Sequence, residues 1–160
     1  MQLEPQDQKR LLAAEGFLQL GMFLDAIDEL EALPKNLTNS IQVLALWIEA
    51  YQGLKKWGEM QAVAHRLAEV APENVQWAIS WAYATRRAES IPAAREILLE
   101  AMARHPKEPL IYYNLACYDC QLGELSSARG FLERALKMAP NFRRMALEDD
   151  DLRPLHSELT

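Results

Sequence analysis

Pro72, Pro106 and Pro140 stand 34 residues apart, and that spacing constrains the fold more than any other feature. Each follows one helix-like run and precedes another. The chain therefore divides into four windows, 7–40, 41–74, 75–108 and 109–142. Equivalent positions agree. The eighth holds Ala14, Ile48, Ala82 and Ala116, and the twentieth Ala26, Met60, Ala94 and Ala128. The twenty-fourth holds Leu30, Ala64, Leu98 and Leu132, and the twenty-seventh Leu33, Leu67, Ala101 and Ala135. Larger side chains recur at the seventh (Ala13, Trp47, Trp81, Leu115) and the seventeenth (Phe23, Trp57, Ile91, Leu125). Spacings of three and four dominate, so each window predicts two amphipathic helices, A and B. Small residues let two helices cross closely, and large ones fill the space beside the crossing. One such pair cannot bury its apolar face alone, whereas stacked pairs share a continuous core.

Boundary signals agree. Asn39 or Ser40 is placed to cap helix A of the second window, and Ser90 helix B of the third, with Pro92 tolerated in its first turn. Gly21 and Gly123 share the position between A and B, where a chain reversal favours glycine. The first window departs from the pattern, because Pro34 stops its second helix about one turn early.

The period, the small residues at positions 8 and 20 and the closing proline resemble the tetratricopeptide repeat. The fourth window is nearest to it, with Tyr112-Tyr113-Asn114-Leu115-Ala116, Gly123, Ala128, Leu132, Ala135-Leu136 and Pro140-Asn141. The stretch from Phe142 to Leu155 resembles the ending that follows the last repeat in some bacterial members, where it forms a short helix covering the exposed face of the final pair. The resemblance implies an all-α, right-handed superhelical solenoid of antiparallel helix pairs in a single domain, 7–142, followed by a C-terminal capping helix and acidic tail, 143–160. It also implies a non-enzymatic adaptor or chaperone-like scaffold whose A helices line a concave groove for a protein or peptide segment.

Helical geometry selects the groove face. Positions 2, 5, 9 and 12 of helix A lie together, apart from the packing face at 4, 7, 8 and 11. The first window offers Gln8, Leu11, Glu15 and Leu18, and the second Gln42, Ala45, Glu49 and Gln52. The third offers Gln76, Ile79, Tyr83 and Arg86, with Arg87 beside them, and the fourth Leu110, Tyr113, Cys117 and Cys120, with Gln121 at the edge. Tyr83 and Tyr113 are the leading candidates, since aromatics and Arg are enriched in binding hot spots. Arg86 and Arg87 suit an acidic residue or a terminal carboxylate. The family's clamp for the carboxylate of heat-shock chaperones is not matched. Its cationic and Asn positions are filled here by Leu11, Glu15, Leu46, Gln76 and Ser80.

Composition narrows the partner. Lys and Arg number 17 and Asp and Glu 23, giving a net charge of −6. Displacing counterions from nucleic-acid phosphates needs a basic face, and docking on anionic lipid needs one as well. No apolar run approaches the ~18 to 20 residues of a membrane span. The polar start, MQLEPQDQKR, lacks the apolar stretch of a secretory signal, so the expected location is cytoplasmic. No cofactor is expected, and homo-oligomerisation is a second possibility because the weak first window leaves a helical end in need of a cover.

Catalytic constellations are sparse. Cys117 and Cys120 have dithiol spacing, but they fall inside a predicted helix rather than at its N-terminus, where the dipole lowers a thiol pKa. They carry the remote alternative of a thiol-redox protein, and no second Cys pair completes a zinc site. Gly16 and Gly21 mimic a phosphate loop without its Lys and Ser/Thr. Asp119 stands where an apolar residue is expected and predicts an ion pair with a nearby Arg. The run Glu148 to Asp151 reads as a solvated helix end. Trp47→Ala or Trp81→Ala is expected to cost roughly 3 to 5 kcal/mol if the ring is buried.

Overall fold

The computed structural model describes residues 3–160; Met1 and Gln2, which begin the polar N-terminal stretch, lie outside the described residues. Every regular element among the described residues is helical. In chain order they are α1 (Pro5–Gln19), α2 (Phe23–Glu31), α3 (Ile41–Gly53), α4 (Trp57–Val70), α5 (Val75–Ala88), α6 (Ile91–Arg104), α7 (Pro109–Gln121), α8 (Leu125–Met138) and α9 (Phe142–Glu148), followed by a 3-10 helix (Asp150–Glu158). The odd-numbered helices α1 to α7 are the A helices of the four windows, and the even-numbered ones the B helices. None is long and apolar enough to cross a membrane.

The register holds in detail. Every residue named above at positions 8, 20, 24 and 27 is buried, from Ala14, Ala26 and Leu30 to Ala116, Leu132 and Ala135. By its contacts the chain divides into two compact units, one running to Ala88 and the other Glu89–Thr160. In a repeat array each helix meets its sequence neighbours, so such a chain can divide without cutting one central core.

In the first unit α1 packs on α2 and α3, α3 on α4, and α4 on α5. Leu11, Ala14, Leu18, Ala26, Leu30, Val43, Leu46 and Ala50 form one cluster, with Phe17, Phe23 and Trp47 against it. Leu44, Ile48, Met60, Ala64, Leu67 and Ala84 form the next, bordered by Trp57, Trp77, Trp81 and Tyr83. Ser40 caps α3 by accepting the Val43 N–H at 3.3 Å. Helix α2 ends at Glu31, ahead of Pro34, and spans 9 residues where α4 spans 14. Gly21 turns the chain with φ 72°. The second window places Lys55 at the same position, with φ 56°, in a left-handed conformation that glycine adopts without a Cβ clash.

In the second unit Ser90 caps α6 through the Ala93 N–H at 3.2 Å, and Gly123 turns between α7 and α8 with φ 80°. Asp119, fully buried, accepts from Arg95 Nε at 2.6 Å and from Ser127 Oγ at 2.5 Å, which meets the expectation of an Arg partner. The C-terminal segment is a packed part of the unit rather than a tail. Leu152, Leu155 and Leu159 are buried, Arg129 grips Glu158 through two 2.6 Å bonds, and Arg143 donates to the Leu159 carbonyl at 2.7 Å.

Candidate functional site

Helix α5 carries five of the anticipated residues. Its chain enters from Asn74, whose Oδ1 accepts the Gln76 N–H at 3.1 Å. Gln76 is exposed and donates through Nε2 to Ser80 Oγ at 3.4 Å. Ile79 is 8 % exposed, so it is a packing residue and not a contact surface as expected. Tyr83 is half-buried, with its ring among the residues bordering the second core cluster. Arg86 is half-buried and engaged within the chain. Arg87 is exposed. On α3, Glu49 is exposed as anticipated.

Tyr83 and Arg87 lie one helical turn apart, and the structure builds them into a cleft with Gln52, Lys55 and Trp57. Arg87 Cζ sits 3.6 Å above the Tyr83 ring centroid and 5.1 Å from that of Trp57. Its Nη1 donates to the Tyr83 carbonyl at 2.9 Å. Trp57 meets Tyr83 edge to face, with centroids 5.8 Å apart. Two aromatic faces and a backbone bond thus hold the guanidinium flat while its other N–H groups remain available. Lys55 and Trp57 were missed by the helix-A face rule because both lie outside helix A. Trp57 read as one of the large packing residues at position 17.

Helix α7 behaves differently. Tyr113 and Cys117, expected on an open groove, are 3 % and 4 % exposed, and Cys120 is 6 % exposed. The turn joining α9 to the 3-10 helix lies over this face. Tyr113 donates to Asp149 Oδ2 at 2.8 Å, the Cys117 thiol lies 3.7 Å from the same oxygen, and Gln121 Nε2 donates to the Asp151 carbonyl at 3.2 Å. Asp149 also caps the 3-10 helix, accepting the Asp151 N–H at 3.0 Å. Asp149 and Asp151 are half-buried while Glu148 and Asp150 are exposed, so the reading of this run as a solvated end holds for one side of it only. Burial, and then the bond to Asp149, push the Tyr113 hydroxyl well above its ordinary pKa.

The α7 arrangement also bears on thiol chemistry. Cys117 and Cys120 are both free and buried. Burial first, and then nearby carboxylates led by Asp119, push the Cys120 thiol up from its ordinary value. A reactive thiolate requires the opposite shift. Ligand atoms of Cys117, Asp149 and Asp151 fall within 4.8 Å of one another, but Asp149 already accepts the Tyr113 hydrogen bond that fastens the segment to α7 and the Asp151 N–H that caps the 3-10 helix.

Solved structures share this architecture. A MamA fragment from Desulfovibrio magneticus RS-1 superposes with a TM-score of 0.75 at 14% identity, covering 99% of this chain and 93% of that one. A crystal structure of MamA gives a TM-score of 0.72 at 18% identity over 99% and 92% of the two chains. A double mutant of MamA gives 0.75 at 13% identity over 86% and 78%. MamA is a tetratricopeptide-like protein, and the present chain has the same kind of helical-repeat fold. No family model matches the chain, and no protein of curated function matches it in sequence.

Proposed function

We propose that the protein is a non-enzymatic interaction scaffold that holds a segment of a partner protein against α5, in the cleft of Tyr83 and Arg87. The observation that carries this reading is the cleft itself: Tyr83 and a stacked guanidinium on an A helix, walled by Trp57 at the start of the preceding B helix and open to solvent. The aromatic anchors supply large contact area with few rotatable bonds. Stacked helical repeats characteristically present extended binding surfaces, and the catalytic groupings expected of an enzyme are not assembled around this cleft. The net charge of −6 favours a protein partner over nucleic acid or anionic lipid. A cytoplasmic setting accords with the two unbridged cysteines.

The test is retention of partners from native lysate by wild type and by the Tyr83→Ala/Arg87→Ala variant, after both are shown to fold. Tyr113 is left intact, because its replacement would disturb the packing of the second unit. The expected result is a protein held by wild type and lost by the variant. Identical retention by both would remove the cleft from the binding surface.

Self-assembly is the second reading, favoured by a separate observation. On α1, its turn and α2, Leu12, Leu20 and Leu24 are 60%, 75% and 64% exposed. Leucines this open suit burial against another chain. Light scattering at ~100 µM, above most weak dissociation constants, tests it: a strict monomer would dispose of the idea.

A further inference from the structure

We propose that the cleft selects an acidic segment, laid along α5 in the way that residues 149–151 lie along α7. The inference rests on the scaffold reading above and adds the chemistry of the partner.

The two helices are one period apart, so their residues correspond by position. Tyr83 matches Cys117, and Arg87 matches Gln121, each 34 residues on. On α7 both positions grip the chain's own acidic run: Cys117 the Asp149 carboxylate, and Gln121 the Asp151 carbonyl. The molecule thus lays its own acidic turn, the Asp149 cap and the start of the 3-10 helix, on an A-helix face. On α5 the same two positions carry better donors for carboxylates, a phenol hydroxyl and a guanidinium.

Charge points the same way. Among the described residues neither Lys55 nor Arg87 has a carboxylate within 4.0 Å. The cleft therefore presents two cations whose charge is not neutralised within the chain, although acidic side chains outnumber basic ones 23 to 17 overall. Arg87 is already oriented by Tyr83 and Trp57, so a ligand carboxylate would not have to order it.

Lys55 adds an independent observation. At this turn the first and fourth windows place Gly21 and Gly123, with φ 72° and 80°. Lys55 holds φ 56° there at a conformational cost that glycine would avoid. Its exposed side chain lines the cleft, and supplies the second charge for an acidic segment.

The experiment uses two fluorescein-labelled peptides, LEDDDL, which copies residues 147–152, and its neutral counterpart LQNNNL. Fluorescence anisotropy at low salt follows binding to the full chain. LEDDDL is expected to bind at least ~10-fold more tightly than LQNNNL, and Arg87→Gln to abolish that preference. Lys55→Gly is expected to weaken LEDDDL ~3-fold while raising the urea midpoint, so that lost binding cannot be lost folding. Equal binding of the two peptides, or a preference that survives both substitutions, would overturn the proposal. If the lysate partner is lost from the Tyr83→Ala/Arg87→Ala variant while LEDDDL shows no preference, acid selectivity fails and the scaffold reading stands.

Discussion

The Tyr113 hydroxyl donates a 2.8 Å hydrogen bond to Asp149, 36 residues further along the chain. With Gln121 and the buried Leu152 and Leu155, it fastens the C-terminal segment over α7. Tyr113→Phe removes the donor and leaves a half-buried carboxylate short of a partner. A loss of about 1 to 2 kcal/mol is expected in urea unfolding, with faster proteolysis between α9 and the 3-10 helix. An unchanged midpoint and cleavage rate would show that packing alone holds the segment.

Alkaline pH acts on the same face. Cys120 and Tyr113 both titrate higher in the folded state than their ordinary values of 9.0 and 10.0. Between the unfolded and folded pKa the native state therefore binds more protons than the unfolded chain. Their contribution is complete below pH 9 and is lost as pH rises beyond it. Urea midpoints are expected to fall between pH 8 and pH 10.5, and to fall less in Cys120→Ala. Parallel curves for the two proteins would exclude the thiol as a source.

Arg95 and Asp119 join α6 to α7 at a fully buried carboxylate. Removing the cation alone is more damaging than removing both groups, because it strands the charge. Arg95→Met is expected to cost about 3 kcal/mol. Adding Asp119→Leu is expected to recover part of that loss, which a double-mutant cycle by chemical unfolding would reveal. Simple additivity would mean that Ser127 and local water already satisfy the carboxylate.

Two helical glycines should respond in opposite directions. A Cβ at Gly53 on α3 would run into the ring of Phe23, whereas one at Gly16 on α1 meets nothing within 4 Å. Gly16→Ala is expected to raise stability by about 0.5 to 1 kcal/mol through helix propensity. Gly53→Ala is expected to lower it by about 1 to 2 kcal/mol, since Phe23 must leave its rotamer. Thermal melts of the two variants decide the matter, and a gain in both would show that the ring moves freely.

The positions that repeat every 34 residues were the most legible part of the chain, because burial at a helix crossing restricts both size and polarity. Ala26, Met60, Ala94 and Ala128 differ in volume yet are all buried. The seventh position was legible in kind but not in degree. Trp47 and Trp81 are half-buried, and Trp81 stacks on exposed His65 at 4.1 Å, so the cost of Trp81→Ala falls to about 2 kcal/mol. The helix-A face rule put Tyr83 on an accessible face and Arg87 only at its edge, and it misjudged Tyr113 and Cys117, which are buried. Periodicity reports which face of a helix is available, and cannot report that a later segment of the same chain returns to cover it. Lys55 and Trp57 escaped for a related reason: a turn residue and the first residue of a B helix join the cleft only through tertiary packing.

The strap over α7 has a consequence for synthesis. The residues that cover Tyr113 and Cys117 are made 28 or more positions after α7 is complete at Gln121. At about 5 to 20 residues per second, that face stays bare for roughly 1 to 6 seconds of elongation. The first unit is finished by Ala88 and suffers no such delay. Until then Tyr113 and Cys117 lack the cover that Asp149 gives them in the finished protein, so the second unit completes its packing only once its last residues have been added.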